Sequence, residues 1–233
     1  MTHTLEADSI QLQFNDRRIL ADIYLKCETG KITGLLGRNG QGKSCLMQII
    51  YGRLKCEKSV RFDNASQYEA FKRPDLLLYL PQFNFIPKAL TVKRIFEDFE
   101  LEYSSFERRF PEFQTRYKSS INSLSGGEHR LVELYVIVKS KSQFAMLDEP
   151  FTHLNPIQIE KVHDLLLEEK INEHTQNKKI IKKLIMFYNL LKYTLLKKNE
   201  LLFLSKFLLG KKNKFNKVKR LNLIALCKKN AKI

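Results

Sequence analysis

Ile32-Thr33-Gly34-Leu35-Leu36, followed by Gly37-Arg38-Asn39-Gly40-Gln41-Gly42-Lys43-Ser44, is the stretch on which the fold turns. The first five residues are a short apolar run ending at glycine, which predicts a buried strand. The next eight fit G-x-x-x-x-G-K-[ST]. From Lys43 to about Tyr51 the apolar residues Leu46, Met47, Ile49 and Ile50 fit one face of a helix that stops near Gly52. Strand, glycine-rich turn and helix make a phosphate site for a physical reason. Glycines let successive main-chain N–H groups converge on phosphate oxygens, and the helix N-terminus adds partial positive charge. Lys43 is then the counter-charge for β and γ phosphates. Ser44 offers a hydroxyl to Mg2+, which prefers sparse oxygen ligation and keeps several waters. Arg38, Asn39, Gly40, Gln41 and Cys45 complete the candidate nucleotide-binding stretch.

A second piece of phosphate chemistry lies downstream. Phe144-Ala145-Met146-Leu147 reads as a buried strand that delivers Asp148-Glu149-Pro150 to its C-terminal end, the edge at which α/β sheets bind ligands. Asp148 is placed to hold the metal, and Glu149 to orient or deprotonate an attacking water.

Many folds carry such a loop. Leu124-Ser125-Gly126-Gly127-Glu128, which ends twenty residues before Asp148, narrows the choice. This pentad resembles the signature motif of ATP-binding cassette (ABC) proteins, and the order phosphate loop, Gln82, signature, Asp148-Glu149 matches that family over roughly residues 5–169. Read as chemistry, the Ser-Gly-Gly turn opens the helix that includes Leu131 to Val138 and makes a second anion-binding helix N-terminus, with no partner phosphate in its own chain. The resemblance implies a head-to-tail pair of cassettes, a homodimer or two paired subunits, with each ATP held between one phosphate loop and the other subunit's signature turn. It further implies that Phe14 stacks on adenine and that Gln82 touches Mg2+ and relays nucleotide state to a membrane permease. Phe151-Thr152-His153-Leu154-Asn155 matches the loop that crosses the dimer interface, with Asn155 where aspartate is common, so that contact is expected to be weaker. His129 and His153 match no catalytic position and read as polar surface or interface residues. The family's switch histidine is expected near residues 178–186, where none stands; His174, the nearest, lies in a polar turn-like stretch. The γ-phosphate sensor therefore reads as incomplete.

The remaining elements follow from periodicity. Ser9 to Phe14 and Ile19 to Cys27 alternate as half-buried strands around an Asn15-Asp16 turn. Leu76 to Leu80 predicts another buried strand, residues 91–118 read as helical with a break at Pro111, and Ile157 to Glu169 predicts a helix. Residues 55–75 read as polar and poorly periodic. The expected fold is α/β: a P-loop cassette with a mixed, mostly parallel sheet, a small antiparallel portion near the N-terminus, and a helical subdomain at about 88–140.

Length and composition agree with a folded body. The chain has 233 residues, 43% of them hydrophobic, with 16 Phe and 9 Tyr, enough to bury a core without disulfides. Cys27, Cys45, Cys56 and Cys227 form no C-x-x-C pair and no zinc grouping with histidine, which predicts a reducing compartment. No apolar run reaches the roughly 18 residues needed to span a bilayer, and Glu6, Asp8 and Asp16 interrupt any signal peptide. The expected location is the cytoplasm, peripheral at the inner face of the cell membrane. No [NT]-K-x-D guanine-reading motif exists, which disfavours a GTPase.

Charge divides the chain into 1–169, the expected ATP-binding domain, and 170–233. The first part holds 23 basic and 23 acidic residues; the second holds 18 basic and two acidic, the whole net charge of +16. Three readings of this basic, Lys/Leu/Asn-rich tail stand. It is an amphipathic helix, with Ile181, Leu184, Ile185, Tyr188, Leu191 and Leu195 on one face, that touches anionic membrane. It is a nucleic-acid arm, which its single arginine, Arg220, argues against. Or it is a frameshift product from near residue 177, because its residue types can be written with A and T alone. The third is favoured; under it the cassette ends early and its final strand is lost. The sequence thus predicts the ATP-binding and hydrolysing subunit of an ABC transporter. The alternatives are a hydrolysis-deficient, truncated or degenerate cassette, and a soluble ABC protein acting on ribosome or nucleic acid.

Overall fold

β1 (Thr4–Phe14) and β2 (Arg17–Glu28) pair antiparallel across the Asn15-Asp16 turn, with Thr4 opposite Glu28 and Phe14 opposite Arg17. The computed structural model describes residues 2–171 and 183–189, with residues 170, 171 and 183–189 described by backbone alone. β3 (Thr33–Gly37) leads through the glycine loop into α1 (Lys43–Tyr51). β4 (Glu57–Phe62) and β5 (Ala65–Ser66) then extend the first sheet in the order β2-β1-β4-β5. These two strands lie in the stretch read as aperiodic. Their signal was short: Val60 and Phe62 alternate into the core, and Asp63-Asn64, both at positive φ, make the tight turn.

β6 (Leu77–Leu80) ends at Pro81, after which come α2 (Val92–Asp98), α3 (Tyr103–Arg109) and α4 (Gly126–Lys139). β7 (Phe144–Leu147), α5 (Pro156–Ile171) and β8 (Lys183–Asn189) complete the described chain. The second sheet runs β3-β8-β7-β6 and is parallel throughout. The expected α/β fold is present, with parallel and antiparallel strands separated into two sheets.

β8 corrects two expectations about the tail. The final strand is not lost: it lies between β3 and β7, with Gly37 opposite Asn189 and Leu147 opposite Met186. Nor is 183–189 helical, so the amphipathic helix drawn from Ile181 to Leu195 does not hold across this segment. Central placement in a sheet explains why. Lys183-Leu-Ile-Met-Phe-Tyr-Asn189 is mostly apolar, and a strand between two neighbours satisfies its main-chain groups on both edges. The rest of that helix lies outside the described residues.

Two cores flank the parallel sheet. β7 shows the division: Phe144 and Met146 enter the cluster under the antiparallel sheet and α1, whereas Ala145 and Leu147 enter the helical cluster on the other face. A strand covered on both faces needs a continuous apolar run. On the helical side Phe96, Tyr103, Phe106, Phe110, Phe113 and Tyr135 stack with centroids 4.6–5.9 Å apart, each fully buried ring contributing about 1.5–3 kcal/mol. α4 runs through this cluster and is buried without interruption from His129 to Val138.

Candidate nucleotide-binding site

The glycine loop is built from β3 and braced by β2. Gly42 stands immediately before α1 at φ 78, and a Cβ there would come within 2.7 Å of Ile19 Cγ2 and 3.0 Å of Leu20 Cδ2. Only glycine fits that conformation and that gap. Gln41 Oε1 accepts from the Arg38 N–H at 2.8 Å, and Lys43 Nζ donates back to the carbonyls of Gly37 (2.8 Å) and Arg38 (2.7 Å). The ammonium thus folds over its own loop. Arg38, Asn39 and Gly40 are exposed at the tip; Ser44 and Cys45 sit half-buried on the first turn of α1. Gly42, which precedes that helix, provides no side-chain cap, and the first N–H groups of a helix have no intrahelical acceptor. Burial is the main force holding the Cys45 thiol above its ordinary range, and the Asp148 carboxylate adds to the push. Asp148 and Glu149 follow β7 directly.

That strand end is fixed from several sides. Asp148 is buried at 2% exposure; its N–H donates to Leu80 O at 2.9 Å, and its Oδ2 accepts from the Tyr79 hydroxyl at 3.1 Å. Burial first, then the neighbouring Asp148 charge, holds the Tyr79 phenol well above its ordinary range. Glu149 adopts φ 46, a left-handed conformation rare for a residue with a Cβ, and its Oε2 accepts from Gln82 Nε2 at 3.2 Å. Gln82 and Glu149, 67 residues apart, are brought together because β6 and β7 are paired neighbours. Among the described residues no three of His, Cys, Asp and Glu gather as a metal cage.

The signature turn is exposed and closed by its own chain. Ser125 Oγ accepts from the Glu128 N–H at 3.2 Å, and Glu128 Oε2 accepts from the Ser125 N–H at 2.8 Å, a reciprocal capping box. Gly127 lies against the next loop, where a Cβ would come 2.8 Å from His153 O. Asn155 caps α5 in the same reciprocal way, accepting from Gln158 N–H at 2.9 Å and donating to Gln158 Oε1 at 3.2 Å. Phe14, at the end of β1, is 49% exposed and thus not a core residue.

Three histidine expectations meet the structure. His153 is exposed beside the signature turn. His129 is buried at 4% exposure, with Nδ1 3.0 Å from Asn84 Nδ2 and Nε2 3.3 Å from Glu133 Oε1, near but not aligned for a hydrogen bond. The surface reading of His129 is therefore corrected: α4 carries it inward because that helix is covered on all sides. The window for the switch histidine is corrected as well. The strand after β7 extends to Asn189 beside Gly37, contains no histidine, and sets the relevant edge later than residues 178–186. His174 lies outside the described residues.

Sequence reasoning missed the centre of the site. Arg130, 1% exposed, donates from one terminal nitrogen to Pro81 O (2.8 Å) and from the other to Asp148 O (2.8 Å) and Glu149 O (3.0 Å). Glu133, fully buried, accepts from the N–H groups of Phe85 (2.7 Å) and Ile86 (3.1 Å) and faces Arg130 at 3.4 Å. Burial pulls the Arg130 guanidinium below its ordinary value, and Glu133 opposes that pull. The available signal was a pair of charges spaced i, i+3 inside an otherwise apolar helix.

This arrangement defines a nucleotide-binding cassette of the P-loop class. Residues 20–152 match the family model described as ABC transporter, and the chain belongs to that family. It is 30% identical over 177 residues to a probable ABC transporter ATP-binding protein of Azorhizobium caulinodans, covering 70% of this chain and 63% of that protein. It is 29% identical to the lipopolysaccharide export system ATP-binding protein LptB of Acidithiobacillus ferridurans, covering 71% and 75%. The fold is similar to a solved ATP-binding subunit of an ABC transporter, with TM-score 0.63 and 20% identity over 81% of each chain. It is also similar to an ATP-binding cassette in its ADP conformation, with TM-score 0.58 and 23% identity over 80% and 81%.

Proposed function

We propose that this chain is the ATP-binding and hydrolysing subunit of an ABC transporter, working as a head-to-tail pair that drives a separate membrane permease. The observation that carries the reading is the meeting of Gln82 and Glu149 at the paired ends of β6 and β7, next to the buried Asp148. Phe14 would stack on adenine, residues 37–45 would enclose the phosphates, and Leu124 to Glu128 would close on the partner's nucleotide. The oxygen donors Ser44, Gln82 and Asp148 suit Mg2+, which the nucleotide's own phosphates would hold in large part. Bound there, Mg2+ would neutralise phosphate charge. Glu149 would take the proton from water, and Lys43 would exchange its two carbonyl partners for phosphate oxygens.

No described helix is long and apolar enough to cross a membrane, and the permease of this reading is a separate component. Phe83 and Phe85, 79% and 37% exposed immediately after Gln82, offer it an apolar contact beside the site. The assembly would lie at the cytoplasmic face. Replacing Glu149 with Gln should leave nucleotide retention intact and reduce phosphate release by about a thousandfold or more; unchanged release refutes its role. A second reading, a hydrolysis-poor cassette, draws support from β8, which presents no histidine to the ligand edge. Phosphate release by the unaltered chain separates the two.

A further inference from the structure

We propose that Arg130 and Glu133 are positioning residues for ATP hydrolysis, acting as one buried clamp that sets the Gln82 loop and the Glu149 peptide relative to each other. The proposal rests on the ATPase reading above.

Their partners make the case. Among the described residues, the hydrogen bonds of these two side chains, apart from the one between them, go to main-chain atoms of two loops. Arg130 holds Pro81 O on one side and Asp148 O and Glu149 O on the other; Glu133 holds the N–H groups of Phe85 and Ile86. The segment 81–86 carries Gln82, and the segment 148–149 carries both carboxylates. Neither loop has its geometry dictated by a helix or strand at these points. Glu149, moreover, sits in a left-handed conformation that disfavours any L residue with a side chain. Its carbonyl is held by Arg130 together with the Thr152 hydroxyl at 3.0 Å. A displacement of the exposed Phe83-Asn84-Phe85 segment would therefore pull on Glu133, hence on Arg130, and hence on the peptide that aims the Glu149 carboxylate.

Stability alone does not require this pair. A buried ion pair can often be replaced by apolar residues of similar volume without loss of stability, whereas removing one partner is costly. Carbonyls of both loops accept from Arg130 and two N–H groups of the first donate to Glu133, which supplies a reason for charge here that packing does not.

The test uses the full chain with MgATP, reading melting, nucleotide retention and phosphate release. Glu133→Gln keeps an acceptor oxygen for Phe85 and Ile86 but removes the charge that holds Arg130. The paired replacement Arg130→Met with Glu133→Leu removes both charges together. We expect cooperative melting, ATP retention within about threefold, and phosphate release lowered about tenfold or more in each. Release equal to that of the unaltered chain in a folded variant overturns the proposal. So does an equal loss of retention and release, or a failure of both variants to fold, either of which makes the pair a plain structural requirement. If the unaltered chain releases no phosphate, the functional reading falls and this proposal with it; if it does, failure in the variants bears on the clamp alone.

Discussion

The openings of α1 and α4 are both glycine-rich turns at a helix N-terminus, yet only the second is closed by a capping box of its own residues. α1 has Gly42 as its N-cap, which has no side chain to offer its first N–H groups. α4 has Ser125 on the Glu128 N–H and the Glu128 carboxylate on Ser125. A helix terminus attracts anions wherever its N–H groups are unsatisfied; an acidic residue three positions in supplies the anion from within. The difference teaches that a signature turn is not automatically a phosphate receptor. On the proposed pairing, Glu128 would have to yield, or its charge be tolerated, when a partner's phosphate approached.

The comparison can be broken at several points, beginning with the largest effect. Lys43→Ala should weaken retention of ATP about 100-fold while leaving folding intact, because the ammonium's present partners are two carbonyls of its own loop; equilibrium dialysis measures it. Gly42→Ala should destabilise the chain by about 1–2 kcal/mol from the left-handed backbone alone, with the Ile19 contact adding to it, and a lowered melting temperature would record the loss. Ser125→Ala should cost about 1 kcal/mol through the lost cap and leave retention by the single subunit unchanged. Glu128→Gln sharpens the contrast: it preserves an acceptor for the Ser125 N–H and removes the competing charge. ATP-dependent pairing, followed by sedimentation, should therefore tighten severalfold.

The smallest effect concerns another internally satisfied carboxylate, far from either turn. Glu6 is held by Lys26 Nζ at 2.8 Å and by Arg61 at 3.3 Å. The Lys26 hydrogen bond, foremost, lowers its pKa below the ordinary 4.5. A carboxyl group depressed on folding contributes stability above its unfolded pKa and loses it as pH falls through the folded value. Glu6→Gln should therefore lower the melting temperature by about 1–3 °C at pH 7. That deficit should fade as the pH drops below about 4.3.

Much of this was legible before any coordinates. The strand, loop and helix from Thr33 to Tyr51 needed only local periodicity and the conformational freedom of glycine, and the run Phe144 to Leu147 announced a strand covered on both faces. The opening of α4 at the Ser-Gly-Gly turn was legible too, and Ser125-x-x-Glu128 is the spacing of a capping box. β4 escaped because Val60 and Phe62 are its sole apolar residues, among Glu57, Lys58, Ser59 and Arg61, and β5 because two residues establish no period. β8 escaped because a Lys-rich surrounding composition hid seven residues that fit between two parallel neighbours. His129 read as a polar surface or interface residue and Arg130 passed without a reading, since nothing local signals that their helix is wrapped on every side.

What sequence alone settled is the chemistry carried by residues close in the chain: the cradle from Gly37 to Ser44, the adjacent carboxylates at 148 and 149, the helix-opening turn at Ser125. What folding decided is which of these meet. Gln82 reaches Glu149, Tyr79 reaches Asp148, and Arg130 grips main-chain carbonyls from two separate loops. Those partners lie 18 to 69 residues apart. Rules of spacing act over a few residues, whereas these meetings depend on the order in which strands lie side by side in the sheet and on the burial that makes an unpaired charge too costly to keep.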